Sequence, residues 1–389
     1  MKSHSLISVL LMTATLAFAA ADPVRVGLDA EFGNKTSTAD DAIKLGMEIA
    51  IEEINQSGGV LKGRPLELVT RDNRGVPARG VDNLKELAQV KDMTALVTSK
   101  FSPVVLAQLE SAHQLKLPLL AAWSAADGII DHDFKPSYSF RLSLRDGWVM
   151  PRLLQEAKAR GYKKVGLLIP NGAWGRSNLK AAEAHATKHP QPAIVKTMGF
   201  EWSDTSLENE YLDLLQAGMD ALLFVGNEPE VALLIKNMTA LPREQWRPIL
   251  SHWGVAAGNL PALTGAALHE VDLSTVQTFS FIDNPAPKAR RVLESAVKKL
   301  GVQQPRDLIS PVGIAHGYDL VHLLAIAINK TGATDREGIR NALEQIDSHD
   351  GLVRKYKPPF SHERHEALGP EQLFMARWRK DGSLIPAKP

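Results

Sequence analysis

The sequence predicts an α/β protein made of two blocks of parallel sheet and helix. Three observations carry that expectation. Short, almost wholly apolar runs such as Leu96-Val97-Thr98 and Leu117-Pro118-Leu119-Leu120 read as parallel strands covered on both faces. Amphipathic runs of helical length alternate strictly with them, which favours right-handed crossovers. The alternation breaks once, between Gly128 and Arg145, and then restarts; 389 residues suffice for two domains.

The first block opens with a strand at Val24–Leu28, a polar loop from Asp29 to Asp41, and a helix to about Gln56. That helix lines up Ile43, Met47, Ala50, Ile51 and Ile54 on one face, and Ser57-Gly58-Gly59 stops it. A strand at Leu66–Thr70 follows, then a helix from Pro77 to Gln89 with Val81, Leu84, Leu87 and Ala88 inward. The stretch from Leu96 to Asp127 is the organising one: strand, loop Ser99–Ser102, helix Pro103–Lys116, strand, loop Ala121–Asp127. Proline suits the first turn of such a helix, where its missing N–H costs nothing. Two polar loops then leave neighbouring strands at one edge of one sheet, where open α/β sheets bind ligands.

Tyr138–Leu142 is an isolated β-rich run that reads as the passage to the second block. Helix Asp146–Arg160, strand Lys164–Ile169, helix Arg176–Lys188, strand Ala193–Met198, helix Leu207–Gln216 and strand Ala221–Val225 follow. A loop at Gly226–Pro229 leads to a helix ending near Thr239, and Pro248–Ser251 and Val276–Phe281 read as further strands. Helices are expected at Lys288–Leu300, Pro311–Asn329 and Asp335–Gln345, and terminal strands at Gln372–Arg379 and Ser383–Ile385.

The N-terminus predicts export. Lys2 precedes an apolar run from Leu6 to Phe18, and small residues fit cleavage after Ala19 or Ala21, giving a 1–21 signal peptide and a periplasmic protein. The chain has no cysteine, hence no disulfide, thiol nucleophile or cysteine-linked lipid. Net charge is +1, so no field favours nucleic acid. No later segment approaches about 18 uninterrupted apolar residues.

Local motifs for catalysis are weak. His362-Glu363-Arg364-His365 has the wrong spacing for a zinc protease and reads as a solvated loop; His185 and His189 share a helix end and read as surface residues. No phosphate-cradling loop and no Gly-x-Ser-x-Gly elbow is present. No cofactor or metal is implied.

Several blocks together resemble the type I periplasmic solute-binding proteins of ABC transporters, of the branched-chain amino acid (Leu/Ile/Val) class. They are Val24-Arg25-Val26-Gly27, Gly46–Asn55 with Gly58-Gly59-Val60, Gly63–Val69 with Arg71-Asp72, Leu117–Leu120 before Trp123-Ser124-Ala125, and Trp174-Gly175. The resemblance implies two Rossmann-like lobes with parallel sheets, joined by a three-strand hinge and closing on a ligand between them. It implies crossings near Ser143, Thr278 and Leu352, hence a first lobe of 22–142 plus 279–352 and a second of 143–278 plus 353–389. The implied partners are a small-molecule ligand and the permease subunits of an inner-membrane transporter, with the binding protein a monomer.

Carried over by position, the resemblance assigns ligand contacts to Ser102, to Trp123, Ser124 and Ala125 (backbone N–H groups and a hydroxyl for a carboxylate), to Trp174, and to Asn227 with Glu228 beside it. The acid that grips an amino acid's ammonium falls on Trp253. The first loop also departs, reading Glu31-Phe32-Gly33-Asn34-Lys35-Thr36-Ser37-Thr38. Either Glu228 or Glu31 supplies the lost charge, or the ligand is not a standard amino acid. The residues themselves suggest the second: Trp123, Trp174 and Trp253 are three of seven tryptophans and would stack on an aromatic ring or box a cation, with Lys100 and Ser102 holding a carboxylate, unless one or two of these indoles simply pack under the loops. A ligand-sensing module for a membrane receptor and a hydrolase on the same scaffold are the alternatives.

Overall fold

The computed structural model describes residues 21–33, 38–303 and 307–387; the expected export signal and part of the first loop lie outside them. The first sheet is wholly parallel, in the order β2-β1-β3-β4-β5. Its elements are β1 (Val24–Ala30), α1 (Ala39–Gln56), β2 (Leu66–Asp72), α2 (Pro77–Leu87), β3 (Met93–Thr98), α3 (Ser102–Gln114), β4 (Leu119–Ala121) and β5 (Ser139–Arg141). The isolated β-rich run is thus the edge strand of the first sheet.

The chain then builds α4 (Asp146–Ala159), β6 (Lys164–Pro170), α5 (Ala173–Lys188), β7 (Ala193–Phe200), α6 (Glu208–Gln216), β8 (Ala221–Phe224), α7 (Glu228–Thr239), β9 (Ile249–Ser251), α8 (Leu260–Thr264) and β10 (Leu273–Gln277). The last strand starts three residues before the expected Val276, because it pairs in parallel with β9 from Leu273 onward. Helices α9 (Pro287–Leu300), α10 (Pro311–Thr331) and α11 (Arg336–Glu344) return to the first lobe, and a small hairpin follows, β11 (His349–Asp350) with β12 (Lys355–Tyr356). Strands β13 (Phe374–Trp378) and β14 (Leu384–Pro386) close the second sheet antiparallel, in the order β14-β13-β10-β9-β8-β6-β7.

Helix α10 is long and apolar enough to cross a membrane by length and composition, yet 83% of its most apolar window is buried. It is a core helix, as its contact with α1 explains. A Cβ on Gly46 would lie 2.0 Å from the Ile314 carbonyl oxygen, and one on Gly317 would lie 2.4 Å from that of Ile43. Only hydrogen at both positions lets the two backbones approach this closely.

The chain passes between the sheets after β5 and after β10. Contacts with the first sheet continue past Leu352. Residues 353–367 stay on the first sheet: Arg141 N donates to His365 O (2.8 Å), Ala367 N donates to Arg141 O (2.8 Å), and the Arg141 guanidinium pairs with Glu366 at 2.6 Å. The pairing between Arg141 and Glu366 has no local sequence signature, so the boundary could not be placed from spacing. The same packing corrects the reading of 362–365 as solvated. His362 is exposed, but His365 is buried, stacked on Phe140 at 3.9 Å, with its Nε2 2.8 Å from Glu344 Oε1.

Candidate ligand-binding site between the lobes

The loops after β1, β3 and β4 meet the loops after β6, β8 and β9 at the C-terminal edges of the two sheets. Contacts join the lobes directly. Trp123, after β4, stacks on Trp253, after β9, with centroids 4.6 Å apart and planes 29° apart. Phe101 meets Trp202 edge-on at 5.7 Å. Thr38 N donates to Ala257 O (2.9 Å), and Asp127 N donates to Ser177 Oγ (3.1 Å). One apolar core contains both Trp123 and Trp253 together with Trp174.

On the first lobe, Asp40 organises the face. It lies in the first turn of α1, is fully buried, and accepts from Glu31 N (2.8 Å) through Oδ2 and from Lys100 N (2.6 Å) through Oδ1. One carboxylate thereby holds the loops after β1 and β3 together. Lys100 Nζ lies 3.1 Å from Glu31 Oε2, so Glu31 is engaged with this cation. Ser124 Oγ donates to Ser99 O (2.5 Å), and Ser102 Oγ accepts from Ala126 N (3.3 Å). Both expected ligand hydroxyls therefore also stitch the two central loops to each other. Phe32 packs half-buried against the main core.

On the second lobe, Trp174 stands in the first turn of α5, and its Nε1 donates to Asp146 Oδ1 at 3.1 Å. Its ring lies parallel to that of Trp202 at 6.4 Å. Asn227 begins α7 in a capping box, with its N donating to Glu230 Oε2 (3.0 Å). A Cβ on Gly254 would meet Gly226 O at 2.2 Å, Asn227 Oδ1 at 3.0 Å and Trp174 Cη2 at 3.0 Å. That crowding brings Asn227, Trp174 and the turn after Trp253 into one wall. Glu228, the first residue of α7, is fully buried.

Trp123, Trp174 and Trp253 are only 3%, 7% and 1% exposed. The indoles expected on the cleft loops do converge there, two of them face to face. Asp40, Asp146, His252, Phe101 and Trp202 were not anticipated. An acid in the first turn of a helix is ordinary, so nothing in the sequence separated Asp40 or Asp146 from other helix starts.

Burial raises the carboxyl of Asp40 to about 6, against the pull of Lys100 and the two N–H groups. Because the folded value exceeds the ordinary one near 3.8, Asp40 contributes stability that is complete below pH 3.8 and lost as pH rises through 6. The midpoint of the native protein minus that of Asp40→Asn is therefore expected to grow as pH falls from 7 to about 4. Thermal melts of the two proteins across that window check it, and a difference independent of pH contradicts it. Burial also raises Glu230, and the Lys100 charge opposes it from the other lobe.

Two sheets whose loop edges face each other across crossing strands define a two-lobed binding protein, and sequence comparison agrees. The pattern of the periplasmic binding protein family matches residues 23–383, and the chain belongs to that family. It is similar to Leu/Ile/Val-binding protein homolog 7 of Brucella abortus (strain 2308), 23% identical over 412 residues, covering 100% of this chain and 97% of the relative. Among solved structures it resembles the type 1 periplasmic binding protein of Bordetella pertussis Tohama I (TM-score 0.83, 18% identity, 94% of this chain and 100% of that one). It also resembles the branched-chain amino acid substrate-binding protein LivJ of Streptococcus pneumoniae in complex with isoleucine (TM-score 0.76, 19% identity, 95% and 100%). A third is an ABC transporter solute-binding protein of R. palustris in complex with 4-hydroxybenzoate (TM-score 0.78, 16% identity, 95% and 96%). The fold is thus that of the type I periplasmic binding proteins, and the family is one of solute binding.

Proposed function

We propose that this chain is the solute-binding component of an ABC importer, exported to the periplasm. It closes its lobes on a small organic carboxylate with an aromatic or apolar body and hands it to permease subunits in the inner membrane, acting as a monomer and without catalysis. The lobes in this reading are residues 22–142 with 279 to about 367, and 143–278 with the remainder. One observation carries the ligand class: an indole, Trp253, occupies the position expected for an ammonium-binding acid, and it faces Trp123 across the lobes at 4.6 Å. Parting two stacked indoles offers a planar apolar slot. Lys100 and the N–H groups around Trp123–Ala125 suit a carboxylate at its edge. Relatives of this fold include binders of isoleucine and of 4-hydroxybenzoate, so both ligand classes lie within its range.

The buried Glu228 favours a second reading, an amino acid whose ammonium meets Glu228. A thermal-shift screen of the chain from Asp22 onward separates them, since a ligand at 100 times its Kd stabilises by about 2.7 kcal/mol. Aromatic and branched aliphatic acids are expected to raise the midpoint more than the branched-chain amino acids do. A rise with leucine, isoleucine or valine alone would overturn the apolar-acid reading in favour of an amino-acid ligand.

A further inference from the structure

Asp146 opens α4 immediately after the first passage between the sheets, and it is fully buried. Three loops of the site converge on it. Its N–H donates to Ala125 O (2.9 Å), and its Oδ1 accepts from Trp174 Nε1 (3.1 Å) and faces His252 Nε2 (3.1 Å). His252 Nδ1 accepts from Trp253 N (2.9 Å), which places the ring proton on Nε2 and makes the imidazole neutral. Both donors to Oδ1 are therefore uncharged. Oδ2 is buried as well and, among the described residues, has no hydrogen-bond partner. A buried carboxylate with one unmet oxygen is costly, and a donor or a cation relieves it.

We propose that Asp146 Oδ2 receives a hydrogen-bond donor of the bound ligand, a hydroxyl or an ammonium group, and so determines specificity. The inference rests on the solute-binding reading above and narrows the ligand to a small acid that carries such a donor. It also provides the acid absent at Trp253 from a different element, the start of α4. Trp174 and His252 act as positioning residues, since their N–H groups hold Oδ1 and leave Oδ2 without a protein donor among the described residues.

Calorimetric titration with two matched pairs tests this: benzoate against 4-hydroxybenzoate, and 4-methylpentanoate against L-leucine, which differs by the α-ammonium. In the native protein the donor-bearing member of one pair is expected to bind about 10–100-fold more tightly, as for a hydrogen bond to a charged group. The pair that shows the preference identifies hydroxyl or ammonium. Asp146→Asn keeps an acceptor for Trp174 and His252 but presents N–H where Oδ2 stood. It is expected to shrink the ratio to about threefold or less, the ratio within each pair being the readout rather than either Kd alone. Equal binding within both pairs in the native protein, or an unchanged ratio in Asp146→Asn, overturns the role of Asp146; the first of these needs no variant to fold. Failure of all four acids to bind the native protein overturns the ligand class itself.

Discussion

Trp253→Ala is expected to cost about 3–5 kcal/mol of stability, the usual range for truncating a fully buried aromatic. Trp253 is 1% exposed and stacks on Trp123, and its ring also lies 5.8 Å from that of His316, on α10 of the first lobe. His316 Nδ1 lies 2.7 Å from Ala122 O, so the indole rests on a ring tied to the base of the Trp123 loop. The aromatic pair adds about 0.5–1.5 kcal/mol beyond burial. A cycle of Trp253→Ala, Trp123→Ala and the double variant in urea should therefore show a coupling of that size, since both losses remove the same contact. Additive losses would mean that each indole packs independently against its own lobe.

Arg141→Met should be nearly as damaging, at about 3–5 kcal/mol, because it removes both close donors of the buried Glu366 carboxylate and leaves it only the longer contact with Arg145 Nη1 at 3.5 Å. Arg141 is fully buried on β5 and Glu366 is 5% exposed. The guanidinium donates through Nε and Nη2 to Glu366 at 2.9 and 2.6 Å, and through Nη1 to Ala126 O at 2.9 Å. It thus ties the segment around Glu366 to the first sheet and supports the loop that carries Trp123–Ala125. Adding Glu366→Leu to Arg141→Met is expected to restore most of the lost stability, since an apolar pair of similar volume can replace a buried ion pair. Denaturant titration of the single and double variants checks both statements. A double variant no better than Arg141→Met would show that the bond to Ala126 O, rather than the stranded charge, dominates.

The sequence was informative wherever the physics is local. Parallel strands buried on both faces are short apolar runs, so β1, β3, β6 and β8 were readable, as was the helix start at Pro103. The C-terminal ends of β3, β4, β6 and β9 then located Lys100, Trp123, Trp174 and Trp253 on loops that the fold does bring together. What was not readable depends on partners far away in the chain. His365 reads as polar loop until Glu344 and Phe140 are placed around it. Asp40 and Asp146 read as ordinary helix starts until the loops they hold are in position. Trp202 gave no signal, because its neighbours Phe101, Trp174 and Phe200 come from three separate elements.

Closure of two lobes on a small acid is the central claim, and distance measurement between lobes tests it most directly. The chain contains no cysteine, so two introduced cysteines carry spin labels without background. Lys85 on α2 and Asp204 after β7 are exposed and lie on opposite lobes. With the acid that gives the largest thermal shift, the distance distribution between labels at these sites is expected to narrow and move to shorter values. A distribution unchanged at saturating acid would contradict closure, and with it the account of Trp123 and Trp253 as the two faces of one binding slot.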